Sequence, residues 1–80
     1  MIERAEDALI ALGFRMCRVR HHGEVARVEL APGEMGKALE PATRDAIVRD
    51  LKAIGYRYIT LDLQGYRMGS LNEGVRLEPL

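Results

Sequence analysis

The sequence lacks several features on which broad classes of function depend. Tryptophan is absent and phenylalanine occurs once, which argues against an aromatic platform that stacks single-stranded nucleic acid. The single cysteine, Cys17, excludes an internal disulfide, and no spacing of cysteine and histidine resembles a zinc site. The 12 basic and 12 acidic residues leave no net charge, so nothing draws the whole chain to nucleic acid. Any anion site must therefore be local.

Long apolar runs are also missing, and their absence bears on location. No stretch has the length of a signal peptide core or a membrane span, so we expect a cytoplasmic protein that binds no membrane. The 80 residues form a single domain, residues 1–80, with room for one modest core. Hydrophobic residues at 48% and charged residues at 30% are ordinary for a folded chain.

The stretch Phe14–Leu30 alternates apolar and polar residues and predicts a β-hairpin. A turn at His22 and Gly23 would set Arg18 directly opposite Arg27. Like charges in that position are unfavourable by a few tenths to roughly 1 kcal/mol. We therefore expect a compensating group: a carboxylate of the same face, an acidic side chain from elsewhere, or a bound anion. In this register one face is apolar, and the other holds Arg18, Arg20, Arg27 and Glu29.

Helical and strand patterns flank this hairpin. Apolar spacing predicts an amphipathic helix over Ile2–Leu12 and a second helix from Pro41 that ends at Gly55. Alternation predicts a third strand over Tyr56–Leu63. The runs LIALGFRMCRV and LKAIGYRYITL repeat one order: helix, glycine, aromatic residue, arginine, strand. The sequence predicts an α+β two-layer sandwich of order αββαβ, with a small, mostly antiparallel sheet and two helices on one face.

Two motifs carry a family resemblance. The runs VRHHGEVARVEL and LKAIGYRYITLDLQGYRMGSLNE resemble the C-terminal region of the LarE family over nearly the whole chain. LarE enzymes are PP-loop ATP pyrophosphatase-type, sacrificial sulfur transferases that act in making a nickel-pincer cofactor. The resemblance implies that ATP adenylylates a substrate carboxylate and that a protein cysteine then gives up its sulfur. The phosphate-loop run Ser-Gly-Gly-x-Asp-Ser does not occur in the 80 residues.

Because this phosphate loop is missing from the 80 residues, the resemblance implies that ATP binds outside them. We expect ATP to bind a separate PP-loop ATPase domain, in cis or in trans, and we expect no cofactor and no activity in this chain alone. The resemblance matches Arg18 and Arg20 to paired arginines that bind the phosphate of a phosphorylated small-molecule substrate. It matches Glu29 to the glutamate that closes the same run, and Glu6 to an acidic position on the preceding helix. Glu6 is expected to reach the site only from an edge or an end of the sheet. The strand pattern adds Arg27 to the site.

The resemblance leaves other residues without a role in chemistry. Cys17 does not correspond to the sulfur-donating cysteine, and no residue is assigned as catalytic or as a metal ligand. His21 and His22 are expected in the hairpin turn, where their side chains diverge. The segment Gly65–Glu73 could cradle phosphate or act as a plain turn, and Val75–Glu78 could form a short edge strand.

A second interpretation needs no ligand. The charged face could be solvated, with Glu29 and Asp62 balancing the arginines in surface ion pairs. The chain would then be a structural or oligomerisation module. Members of the LarE family assemble through this region, so a homo-oligomer is possible, with Met35, Met68 and Leu71 as candidate interface residues.

Overall fold

A computed structural model of the protein describes residues 1–66. The predicted edge strand Val75–Glu78, the interface candidates Met68 and Leu71, and the greater part of the segment Gly65–Glu73 lie outside the described residues. In chain order the elements are α1 (Ile2–Ala11), β1 (Cys17–His22), β2 (Val25–Leu30), a 3-10 turn (Pro32–Glu34), α2 (Met35–Ala38), α3 (Pro41–Ile54) and β3 (Tyr58–Leu61).

The three strands form one sheet in the order β1-β2-β3. The α+β class is confirmed, and the predicted αββαβ order holds with the short helix α2 added before α3. Strand β1 runs antiparallel to β2, whereas β3 runs parallel to β2, so the sheet is mixed rather than mostly antiparallel. The reason is the connection, because α3 returns the chain across the sheet and lets β3 start at the same end as β2.

The hairpin turn lies one residue further along the chain than the sequence predicted. Its two loop residues are Gly23 and Glu24, and Gly23 takes a φ of +59°, which suits glycine at the first position of a tight hairpin. The predicted turn at His22 and Gly23 is therefore wrong, as is the pairing of Arg18 with Arg27. Because cross-strand partners move by two positions, every side chain keeps its predicted face.

The helices end in the same way, as the repeated sequence pattern suggests. Gly13 and Gly55 follow α1 and α3 with φ angles of +100° and +132°. The next residue, Phe14 or Tyr56, donates its N–H at 3.2 Å to a carbonyl in the last turn of the helix, and both rings are buried. This is a Schellman arrangement, in which only glycine tolerates the backbone angle without strain. Tyr56 therefore belongs to the end of α3, and β3 begins at Tyr58 rather than at the predicted Tyr56.

The hydrophobic core fills the layer between the helices and one face of the sheet. Helix α1 contributes Ala5 and Leu9, and α3 contributes Ile47 and Leu51. Met35, a candidate interface residue from sequence, is half-buried and packs against this core. The opposite sheet face carries no helix within residues 1–66. The strand residues in the core are Val19, Ala26, Val28 and Leu30.

Candidate functional site

The open face of the sheet collects four of the five predicted site residues. Arg18 and Arg20 alternate along β1, where they pair with Glu29 and Arg27 of β2 respectively. Directly opposed residues of an antiparallel pair share a face, so these four side chains leave the sheet on the side away from the helices. We refer to Arg18, Arg20, Arg27 and Glu29 as the charged face. The like-charged pair on it is Arg20 and Arg27.

Carboxylates compensate that pair. Arg27 Nη1 donates to Glu29 Oε2 at 3.0 Å and to Asp62 Oδ2 at 2.6 Å. Arg20 Nε donates to the same Glu29 oxygen at 3.4 Å. Glu29 is only 8% exposed, so its charge is held under the two guanidinium groups that neutralise it. Among the described residues, two cations and two anions balance in this cluster, so carboxylates act as the compensating group among the alternatives that the sequence left open.

The arginines of the charged face differ in how fully they are engaged. Arg27 has a third contact, since its Nε donates to His22 Nε2 at 3.3 Å. Arg20 bonds through Nε alone within residues 1–66, and its side chain is 42% exposed. Both Nη groups of Arg20 thus remain available to solvent or to a ligand. Arg27 instead acts as the hub of the cluster.

Arg18 lacks a carboxylate partner within the described residues. Its Nη2 donates to Tyr66 Oη at 3.4 Å, and its guanidinium lies 5.4 Å from the centre of the Tyr66 ring. The hydrogen bond to Tyr66 raises the pKa of the Arg18 guanidinium further, so Arg18 is cationic at every accessible pH. No sequence pattern indicated this contact, because it joins β1 to a residue far along the chain.

Glu6 approaches the charged face from the side, as expected. Its Oε2 accepts the backbone N–H of Val19 at 2.9 Å. That N–H points away from β2, on the side where β1 has no strand neighbour within the described part of the chain. The carboxylate therefore caps an open strand edge. An open concavity of about 710 Å³ follows this edge, and it is lined by Ile2, Glu6, Arg18, Val19, Arg20, His21, His22 and Arg27.

No family model matches the chain. It is 44% identical over 69 residues to pyridinium-3,5-bisthiocarboxylic acid mononucleotide synthase from Lactiplantibacillus plantarum, a match that covers 86% of this chain. The match confirms the resemblance to the C-terminal domain of LarE. A match to an uncharacterized protein from Synechocystis is 37% identical over 71 residues and covers 89% of this chain. The LarE-like chain spans about a quarter of the length of each relative, 24% and 26% respectively.

The side of this LarE-like domain that faces the helices holds its other reactive groups. His21 Nδ1 lies 3.1 Å from Tyr56 Oη, and burial raises the pKa of Tyr56. Cys17 is half-buried, and burial is the main reason why the pKa of its thiol is raised. The negative charges of Glu6 and Glu34 raise this pKa further. A raised pKa leaves less thiolate, so the environment of Cys17 does not activate a nucleophile.

The resemblance to LarE did not assign a metal site to this chain. Within residues 1–66, no three or more histidine, cysteine, aspartate or glutamate side chains are grouped in a way that could hold a metal ion. None of the helices described in residues 1–66 is both long and apolar enough to cross a membrane.

His21 and His22, expected in the turn, are both strand residues of β1. The corrected turn places them there, and it brings His22 onto the same side of the sheet as Arg18 and Arg20. From sequence, Asp62 was expected either to balance the arginines or to orient them or give acid/base help, and in the structure it forms an ion pair with Arg27. The contacts of His22 and Tyr66 are the features that the sequence did not indicate.

Proposed function

We propose that this chain is the LarE-like portion of an ATP-dependent sulfur transferase of nickel-pincer cofactor synthesis, and that it supplies an anion site. Arg18 and Arg20 bind the phosphate of a phosphorylated small-molecule substrate. ATP binds a PP-loop domain that acts with this chain in cis or in trans. The identity to a mononucleotide synthase supports the proposal, since a mononucleotide carries a phosphate group.

The observation that carries the anion site is the contrast between the arginines of β1 and Arg27. Arg27 is occupied by two carboxylates and His22, whereas Arg18 and Arg20 retain donors that no carboxylate holds within residues 1–66. Alternate residues of a strand lie roughly 7 Å apart. Two long guanidinium side chains at that spacing can converge on one phosphate, whose oxygens match their fork of donors.

The acidic residues take supporting roles in this proposal. Glu29 and Arg27 act as positioning residues, because their contact fixes the carboxylate that orients the Nε of Arg20. Glu6 uses one oxygen on Val19 and lines the same concavity. A carboxylate repels phosphate, so Glu6 suits a hydroxyl group of the same ligand rather than its anionic end.

A titration followed by nuclear magnetic resonance tests the anion site. Phosphate, AMP and nicotinate mononucleotide are added separately to labelled protein, and the Nε–H signals of Arg18 and Arg20 are followed. We expect saturable shifts at millimolar ligand, and a loss of affinity of about fivefold for either Arg18→Gln or Arg20→Gln. Arg57→Gln is the matched control, because Arg57 forms an exposed ion pair with Glu24 elsewhere. Signals that stay fixed at millimolar ligand would count against a site within this chain.

The second candidate function, a structural or oligomerisation module, has an observation of its own. Among the described residues, the carboxylates of Glu29 and Asp62 balance the charges of Arg20 and Arg27 without any ligand. Sedimentation of the 80-residue chain separates the two functions. A stable trimer or larger assembly whose arginine signals ignore all three ligands would favour the module.

A further inference from the structure

His22 occupies the next position on the charged face after Arg18 and Arg20. The three residues alternate along β1, so their side chains leave the sheet on the same side. His22 pairs with Val25 at the end of the hairpin and is exposed. It lines the same concavity as the two arginines. The strand thus presents three nitrogen-bearing side chains in a row to one open space.

The contact between His22 and Arg27 uses one imidazole nitrogen as a hydrogen-bond acceptor. Arg27 Nε and His22 Nε2 lie 3.3 Å apart. A guanidinium group can only donate hydrogen bonds, so Nε2 of His22 is the acceptor in this contact. Protonation of Nε2 would remove this acceptor, break the contact with Arg27, and place a third cation beside Arg18 and Arg20.

We propose that His22 is a third anion-binding residue of the Arg18 and Arg20 site, and that its protonation strengthens anion binding. This inference rests on the proposed anion site and adds a proton-dependent contact to it. In the neutral state His22 bonds to Arg27. In the protonated state its Nε2–H donates to the bound anion, while Arg27 keeps its bonds to Glu29 and Asp62.

The charges around His22 explain why proton and anion binding are coupled. On the charged face, Arg20 lies two positions before His22 on the same strand and Arg27 of the paired strand contacts it, and both oppose a positive imidazole. A bound anion offsets that repulsion, so each event favours the other. Among the described residues, Glu6 of α1 lines the same concavity, and Glu29 of β2 and Asp62 after β3 bond to Arg27. Glu24 of the turn pairs with Arg57.

Sulfate is the probe for this coupling, because it stays a dianion across the range in which histidine titrates. His21 and His22 are the two histidines of the chain, and histidine titrates near pH 6.5. We expect sulfate to bind the wild-type chain about fivefold more tightly at about pH 5.5 than at about pH 7.5. Saturating sulfate should also raise the pKa of His22, read from its imidazole signals, and leave that of His21 unchanged.

Matched variants assign the effect to one residue. His22→Gln keeps a side-chain acceptor for Arg27 but does not titrate, so its sulfate affinity should be equal at the two pH values. His21→Gln changes the neighbouring histidine, which also lines the concavity but has its ring against Tyr56 on the opposite face, and it should keep the wild-type difference. The pKa readout needs no variant and therefore stands even where a substitution lowers stability.

The outcomes separate this inference from the proposed function. If wild-type protein binds sulfate equally at both pH values, or if His22→Gln keeps the pH dependence, His22 is not part of the site, and the arginine site stands. If sulfate binds at neither pH, both the arginine site and the role of His22 are overturned.

Discussion

The buried carboxylate of Glu29 offers the sharpest test of how the charged face is built. Glu29→Gln keeps the shape of the side chain and removes its charge. The substitution weakens two charge-assisted hydrogen bonds, from Arg20 at 3.4 Å and Arg27 at 3.0 Å. Each guanidinium is more than one-third exposed, which screens the interaction. We therefore expect the free energy of unfolding to fall by about 1 to 2 kcal/mol, well below the cost of breaking a fully buried pair.

Urea unfolding measures this loss. In thermal unfolding of a domain of this size, a loss of about 1.5 kcal/mol in the free energy of unfolding should appear as a fall in Tm of about 6 to 12 °C. Glu24→Gln is the matched control, because the ion pair of Glu24 with Arg57 is exposed, with side chains 65% and 68% accessible. That substitution should change stability by less than about 0.5 kcal/mol. The same Glu29→Gln protein should bind sulfate more weakly, because Arg20 loses the carboxylate that orients its Nε.

Equal unfolding free energies for Glu29→Gln and Glu24→Gln would refute this reasoning. The bond of Arg27 to Asp62 would then hold the cluster without Glu29. Loss of stability without any loss of sulfate affinity would refute only the second part. In that case Glu29 does not orient Arg20 for a ligand.

Three further predictions concern groups outside that cluster. Glu6→Ala should lower the free energy of unfolding by about 1 kcal/mol and speed amide exchange at Val19, whereas Glu6→Gln, which retains an acceptor, should cost less; equal losses would contradict the edge cap. Since the pKa of the Cys17 thiol is raised, iodoacetamide should alkylate it more slowly in the folded chain than in urea at about pH 8.5, and a faster folded-state rate would contradict this. Burial raises the pKa of Tyr56 above its ordinary value. The free energy of unfolding should therefore be constant below about pH 10 and fall as the pH rises through the folded-state pKa of Tyr56. Tyr56→Phe should lose less stability over the same pH range, as measured by circular dichroism.

The faces of the hairpin were predictable from the sequence, but the partners across it were not. Alternation alone fixes which side of the sheet each residue occupies, and a displacement by two positions preserves that side. The position of the turn depends on the backbone angles of its loop residues, Gly23 and Glu24. The sequence pattern predicted the turn one residue earlier, at His22 and Gly23. The prediction therefore gathered the right charges on one face and matched Arg18 to the wrong neighbour.

The sequence indicated the direction of β3 through the preceding helix and not through the strand itself. Ile59 and Leu61 alternate with polar residues in the same way whether the strand runs parallel or antiparallel. The helix Pro41–Ile54 was predicted, and a helical connection of that length is what a parallel pairing requires. The contact between Arg18 and Tyr66 left no such signal, because it depends on where the chain turns back after β3.

The mixed sheet also has a consequence for the order of folding. Strand β2 pairs with β1 across a two-residue loop, whereas the segment that joins β2 to β3 includes the whole of α3. Closing the longer loop costs more chain entropy, so we expect the hairpin to form early and β3 to dock late. Substitutions at Val19 should then slow refolding, while substitutions at Leu61 should mainly accelerate unfolding.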